Sequence, residues 1–199
     1  MAEIWELFQK GGIVMYPLLV CSFAAIAIFI ERVLYYRAVA TDTAKLRAIG
    51  QSLAQGNSED ALAMAEAEQG DAAQVISEYL CSGQEKNVKA QALETKVNIV
   101  MGTYDDKLSF LNIIVTLAPL LGLLGTIFGI VSAFSVFDKN GNGQPFAITA
   151  GIGEALIATA FGLLVAILTL ILYGILKYCI VHLNKRLEYS CLLLLSAQK

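Results

Sequence analysis

Charge is scarce in this 199-residue chain: Asp, Glu, Lys and Arg make up 16% of it, against 57% hydrophobic residues and a mean hydropathy of +0.64. An ordinary soluble domain carries about a quarter charged residues, so that class is excluded. Histidine is nearly absent: His182 stands alone and follows Lys177, a poor place for a proton relay. The four cysteines, Cys21, Cys81, Cys179 and Cys191, lack CxxC or metal-ligand spacing, and read as reduced thiols used as small hydrophobes. No strand alternation, nucleotide motif, catalytic dyad or inverted repeat appears. The expectation is therefore neither an enzyme nor a substrate transporter, with no cofactor, no metal and no nucleic-acid partner. Basic residues are also missing from the N-terminus, where Glu3 and Glu6 stand in place of the basic start of a signal peptide. Residues 1–9 read instead as a short amphipathic piece with Trp5 at an interface.

What is present is apolar length. Residues 13–30, 108–137 and 148–176 are three segments of the roughly 20 apolar residues that a bilayer crossing needs. Glu31-Arg32 closes the first, Lys107 and Asp138 bracket the second, and Lys177 ends the third. The expected fold is an all-α membrane protein with three transmembrane helices. The layout is an outer-side N-terminus (1–12), three spans, a helical cytoplasmic segment (31–107), an outer loop (138–147) and a cytoplasmic C-terminal helix (177–199). Spans two and three are expected to extend into the cytoplasm as helices longer than the bilayer. Of the 14 basic residues, 12 lie in 31–107 or after 176, and only Lys10 and Lys139 lie elsewhere. The positive-inside rule then predicts an outside N-terminus and a cytoplasmic C-terminus. Within 31–107, helix breaks are expected near Gly50, Gly56-Asn57, Gly70 and Gly83, with Asn57-Ser58 capping the helix that follows.

The candidate site lies in spans two and three. Gly122, Gly125, Thr126, Gly129 and Ala133 recur at helical spacing in span two, as do Ala155, Thr159, Gly162, Ala166 and Thr169 in span three. Small stripes let membrane helices approach closely, which assigns packing to Gly122, Gly125, Gly129, Ala155, Gly162 and Ala166. Packing alone could use alanine throughout, so the hydroxyls ask for another reason. Phe137 to Thr126 and Ile148 to Thr159 are both 11 residues, which puts both threonines about 16 Å below the outer boundary in antiparallel helices. Ser132 and Glu154 fall at comparable depths nearer the outside. A polar track from Glu154 to Thr126 and Thr159 follows, with Glu154 as a mouth or gate, or else as a structural group paired with Lys139 or capping. Hydroxyls hold no proton charge, and no titratable side chain lies deep in any span. The carboxylate that carries protons is expected from a partner helix. Asp138-Lys-Asn140-Gly-Asn142-Gly143 matches the start of a calcium loop, but Thr149 stands where the bidentate Glu belongs, and a polar turn explains it equally.

Ala118-Pro-Leu-Leu-Gly-Leu-Leu-Gly-Thr126 and Gly151-Ile-Gly-Glu154-Ala-Leu-Ile-Ala-Thr159-Ala-Phe-Gly-Leu-Leu-Val-Ala-Ile167 resemble the signatures of the MotA/TolQ/ExbB proton-channel family, most of all its ExbB/TolQ branch. Met15-Tyr-Pro-Leu-Leu and Ile30-Glu31-Arg32 fit the family's first span. The resemblance implies a bacterial inner-membrane homopentamer around paired helices of an ExbD/TolR-type single-span subunit, which supplies the membrane aspartate. A TonB- or TolA-type protein would take up the work, for outer-membrane import or envelope maintenance. It also implies pore-lining roles for Thr126 and Thr159, and assigns Glu154 to the family's third-helix glutamate. Leu168 and Gly174 depart from the proline and asparagine common there. A related, non-conducting membrane scaffold is the competing reading.

Overall fold

The computed structural model describes residues 8, 11–82, 86–139 and 145–196. The N-terminal piece around Trp5, the break at Gly83 and the loop carrying Asn140 to Gly143 lie outside them. The helices are α1 (Met15–Val39), α2 (Thr43–Ala54), α3 (Ser58–Glu66), α4 (Asp71–Cys81), α5 (Lys86–Asp105), α6 (Leu108–Lys139) and α7 (Pro145–Ser196). No strand occurs among the described residues. Three stretches, within Met15–Ala54, Val88–Ser135 and Gly151–Leu195, are helical, long and apolar enough to cross a membrane. The chain is an all-α membrane protein.

The prolines show how local chemistry sets the helices. Pro17 lies in the first turn of α1 and Pro145 opens α7, positions where no intrahelical N–H bond is lost. Pro119 alone sits inside a helix, one turn before Gly122 in α6. Lys107 takes φ 64°, a left-handed conformation uncommon for a side-chain-bearing residue, and separates α5 from α6. Span two continues toward lower numbers in α5, beyond the turn at Lys107. Span three continues as one helix: α7 has 52 residues, about 78 Å at 1.5 Å per residue and more than twice the hydrocarbon thickness. Glu31-Arg32 does not end α1, which runs on to Val39. Gly50 does not break α2 either. It lies inside the helix, where a Cβ would sit 2.8 Å from a Leu193 methyl, so the glycine serves packing. Gly56, at φ +79°, and Gly70 do fall between helices.

The chain divides into two compact units, Met1–Ile30 with Lys107–Gly174 and Glu31–Asp106 with Ile175–Lys199. In the second unit, α2, α3, α4 and α5 pack in succession around Leu46, Ile49, Ala61, Ala65, Val75 and Ile76. Asp42 caps α2 by accepting from the Ala44 N–H at 3.0 Å. Asn57 occupies the N-cap of α3, yet its side chain donates to the Asp60 carboxylate instead of accepting from the backbone. Buried polar groups tie the unit together. Arg32, 5% exposed, donates to the Thr103 carbonyl at 3.2 Å. The Tyr36 hydroxyl donates to the Tyr104 carbonyl at 2.7 Å, and the Tyr104 hydroxyl donates to Asp71 at 2.9 Å. Thr41 is held by Arg186, which donates to its carbonyl at 2.6 Å.

Burial pushes the Asp71 carboxyl above its ordinary value, against the opposing pull of the Tyr104 hydroxyl and Lys96. A carboxyl raised by folding favours the folded state in its protonated form. That contribution is present below the ordinary carboxylate value and is lost as pH rises through the raised one. Asp71→Asn keeps an acceptor for Tyr104 without the charge. It is expected to raise the thermal midpoint of the detergent-solubilised protein near neutral pH and to converge with the parent on acidification. A lower midpoint at neutral pH would show that attraction to Lys96 outweighs desolvation.

Candidate functional site

In the first unit, α6 and α7 run antiparallel and meet along small residues. A Cβ on Gly162 would lie 2.7 Å from the Ala118 carbonyl oxygen and 3.0 Å from the Gly122 Cα. One on Gly122 would lie 3.1 Å from the Thr159 Cα, and one on Gly125 would lie 2.5 Å from the Ala158 Cβ. Gly129 meets Ala155 in the same way, with its Cβ position 2.9 Å from the Ala155 Cβ, and Gly151 meets Ala133 at 2.6 Å. These distances are shorter than ordinary carbon contact, so the glycines let the two helices approach closely, onto backbone at Gly122 and Gly162 and onto alanine methyls at Gly125 and Gly151. Of the residues expected to pack, Gly122, Gly125, Gly129, Ala155 and Gly162 meet in this seam. Ala166 is buried farther along α7 at 7% exposure. Ala118, Ala158 and Gly151 were not singled out from the sequence, although each continues the stripe by a step of four.

The hydroxyls sit at the seam's edge. Thr159 Oγ1 donates across it to the Gly122 carbonyl at 3.0 Å, and Thr126 Oγ1 donates within α6 to the Leu123 carbonyl at 2.6 Å. Both protons are therefore spent on backbone carbonyls, and the oxygens offer lone pairs alone. Thr169, 1% exposed, donates to the Val165 carbonyl at 2.8 Å. Register sets Thr159 level with Gly122, which leaves Thr126 within about one turn of it. Equal counting from the span ends overstates the match slightly.

Direction around the helix separates the polar residues more than depth does. At about 100° per residue, Ser132 stands about 120° from Thr126 on α6, and Glu154 about 140° from Thr159 on α7. In an antiparallel pair, this puts both threonines on one flank of the seam and both Ser132 and Glu154 on the other. The turn before α1 covers the second flank. Val14, 4% exposed, faces Gly125, and Gly12 lies against the Glu154 carboxylate. The structure thus brings Thr126 and Thr159 together and sets Glu154 with the first helix's turn. A single track through all four is not its arrangement. Ser132 is exposed, and Lys139, the expected ion partner of Glu154, has its side chain outside the described residues.

Large apolar residues turn away from the seam. On α6, Phe110, Ile113, Leu120, Ile127, Val131 and Phe134 are each more than half exposed. An apolar surface of that extent faces lipid or other membrane helices, not water. No group of His, Cys, Asp and Glu able to hold a metal occurs among the described residues, and all four cysteines are free.

A profile of the MotA/TolQ/ExbB proton channel family matches residues 57–189 of this chain. The chain belongs to that family. An ExbB-like biopolymer transport protein (ExbB-like 3) of Synechocystis sp. is 32% identical over 174 residues, covering 85% of this chain and 82% of its own length. An ExbB homolog of Methanothermobacter thermautotrophicus is 30% identical over 174 residues and 86% of this chain, which spans 62% of that relative. The Tol-Pal system protein TolQ of Haemophilus influenzae is 32% identical over 84 residues, 42% of this chain and 37% of its own length. Family and fold together make this a multi-pass membrane protein.

The seam makes an opposed pair of expectations. Gly162→Val places a branched side chain against the Ala118 and Gly122 backbone, and should lower stability by about 1–3 kcal/mol or more. Gly174→Ala meets nothing within 4 Å and should raise stability slightly, by up to about 1 kcal/mol from helix propensity. Thermal unfolding of both variants in one detergent checks the pair.

Proposed function

We propose that this chain is the stator and proton-channel subunit of an inner-membrane energy-coupling motor, without enzymatic activity of its own. It forms a homo-oligomer, a pentamer by family resemblance, with its N-terminus periplasmic and its C-terminus cytoplasmic. A single-span ExbD/TolR-type subunit passes its membrane carboxylate along the flank that carries Thr126 and Thr159. Proton motive force then drives that inner subunit, and a TonB- or TolA-type protein carries the work to the outer envelope. The observation that carries this reading is a pair of hydroxyls beside a charge-free seam, in a member of a proton channel family, with both protons already committed to carbonyls. Such oxygens accept a hydrogen bond from a protonated carboxyl and carry no charge themselves. The transmembrane potential supplies about 2.3 kcal/mol per charge per 100 mV, so several protons give useful work. An ExbB role in import is favoured by the length of the ExbB-like matches. The TolQ match keeps envelope maintenance as the alternative.

Thr126 is the cleaner position to test, because its hydroxyl bonds within its own helix. Thr126→Val should cut proton flux through the reconstituted complex by about tenfold, the worth of one hydrogen bond of about 1.4 kcal/mol, with assembly unchanged. Thr159→Val also removes the cross-helix bond to Gly122, so Thr159→Ser should restore what Thr159→Val loses. Parent-level flux in an assembled Thr126→Val complex would favour a non-conducting scaffold. Purification from native membranes without any single-span subunit bearing a membrane carboxylate would remove the partner from the scheme.

A further inference from the structure

Gly11 and Gly12 lead into α1, and Gly12 has φ +71°. Glycine would suit that left-handed turn whatever surrounded it. Gly56 is the comparison within the same chain: its φ is +79°, and nothing lies within 4 Å of where its Cβ would be. At Gly12 the space is taken. A Cβ there would collide with Oε1 of Glu154, and would lie 3.3 Å from its Cδ and 3.7 Å from its Cγ. The end of the glutamate side chain rests where a residue-12 side chain would be.

The turn has little freedom to retreat. Val14 and Met15 are 4% and 2% exposed, and Val14 Cβ lies 3.6 Å from the Cβ position of Gly125. Backbone bonds from Gly11 N–H to the Phe8 carbonyl and from Met15 N–H to the Gly12 carbonyl, both 3.2 Å, close it. Glu154 is half-buried and has no hydrogen bond or ion pair among the described residues. The direction around α7 sets its flank, and the open space at Gly12 receives its carboxylate end.

We infer that Gly12 is a positioning residue for Glu154. Its bare left-handed backbone leaves the space, or seat, in which the end of the Glu154 side chain rests beside the first helix's turn. The structural half of this stands on the contact itself. The consequence for conduction rests on the proposed proton-channel reading.

Gly12→Asn separates the seat from the turn, because asparagine tolerates positive φ yet fills the space. In the assembled complex, the carboxyl stretching band assigned to Glu154 by its loss in Glu154→Gln should shift in Gly12→Asn. On the reading of Glu154 as the outer mouth or gate, proton flux should fall toward that of Glu154→Gln. Glu154→Asp shortens the side chain by one methylene, so Gly12→Asn in that background should assemble and keep most of the flux that Glu154→Asp alone supports. Gly56→Asn, the same change at an open left-handed glycine, should leave band and flux unmoved. An unmoved band in Gly12→Asn, or an equal shift in Gly56→Asn, would overturn the assignment. Failure of Gly12→Asn to assemble in both backgrounds would also overturn it, since the turn alone would then matter. A shifted band with parent-level flux supports the seat and counts instead against a conducting role for Glu154.

Discussion

Close approach of the α6 and α7 backbones is the constraint on which the membrane-spanning unit depends. Lipid tails are as apolar as leucine, so burying leucine between helices gains little there. Attraction must come from dispersion between closely fitted surfaces and from the few hydrogen bonds available. Glycine and alanine make that fit possible, at Gly122, Gly125, Gly129, Gly151 and Gly162 against Ala118, Ala133, Ala155 and Ala158. The fit also sets which way everything else points. Once the small faces meet, the large apolar residues level with the seam, such as Leu120, Ile127, Val131 and Leu156, must face outward, and the hydroxyls beside the stripe must line its edges.

Much of this was legible in the sequence. Three lengths with at most one charged residue each read as spans because hydropathy and length are all that a bilayer asks of a helix. The stripe in α6 and α7 read as a seam because spacings of three and four share a helix face. Depth could be counted from the span ends for the same reason, to within about one turn. Counting depth ignores direction around the axis, however, which is why Glu154 and Ser132 seemed continuous with Thr126 and Thr159 although they occupy the opposite flank. Gly12 was illegible because a glycine pair before a helix has many uses, and only its neighbour across space distinguishes this one. Gly50 misled for another reason. Local composition marks a helix end only when no tertiary contact outweighs it, and here Leu193 packs on Gly50.

The two units handle polarity in opposite ways. The second unit buries Arg32, Tyr36 and Tyr104 and gives each a hydrogen-bond partner, Arg32 on the Thr103 carbonyl, Tyr36 on the Tyr104 carbonyl and Tyr104 on half-buried Asp71. The seam of α6 and α7 places no charged group between its small residues and satisfies the hydroxyls of Thr126 and Thr159 on carbonyls, while Glu154 stands on the far flank.

That economy bears on how a proton could pass. An ionised carboxylate in a low-dielectric site costs several kcal/mol unless it is paired, whereas a protonated carboxyl costs far less and needs a hydrogen-bond acceptor. Thr126 and Thr159 present oxygens whose protons already point at the Leu123 and Gly122 carbonyls. To a carboxylate they offer only lone pairs, which repel it. To a carboxylic acid they offer acceptors, which hold it. A hydroxyl free to rotate would serve both forms equally and discriminate neither. On the proposed reading, the backbone carbonyls thus do more than satisfy two threonines. They orient those threonines so that this flank favours the neutral, proton-bearing state of whatever acid passes it, which lets a proton cross mid-membrane without charge of its own.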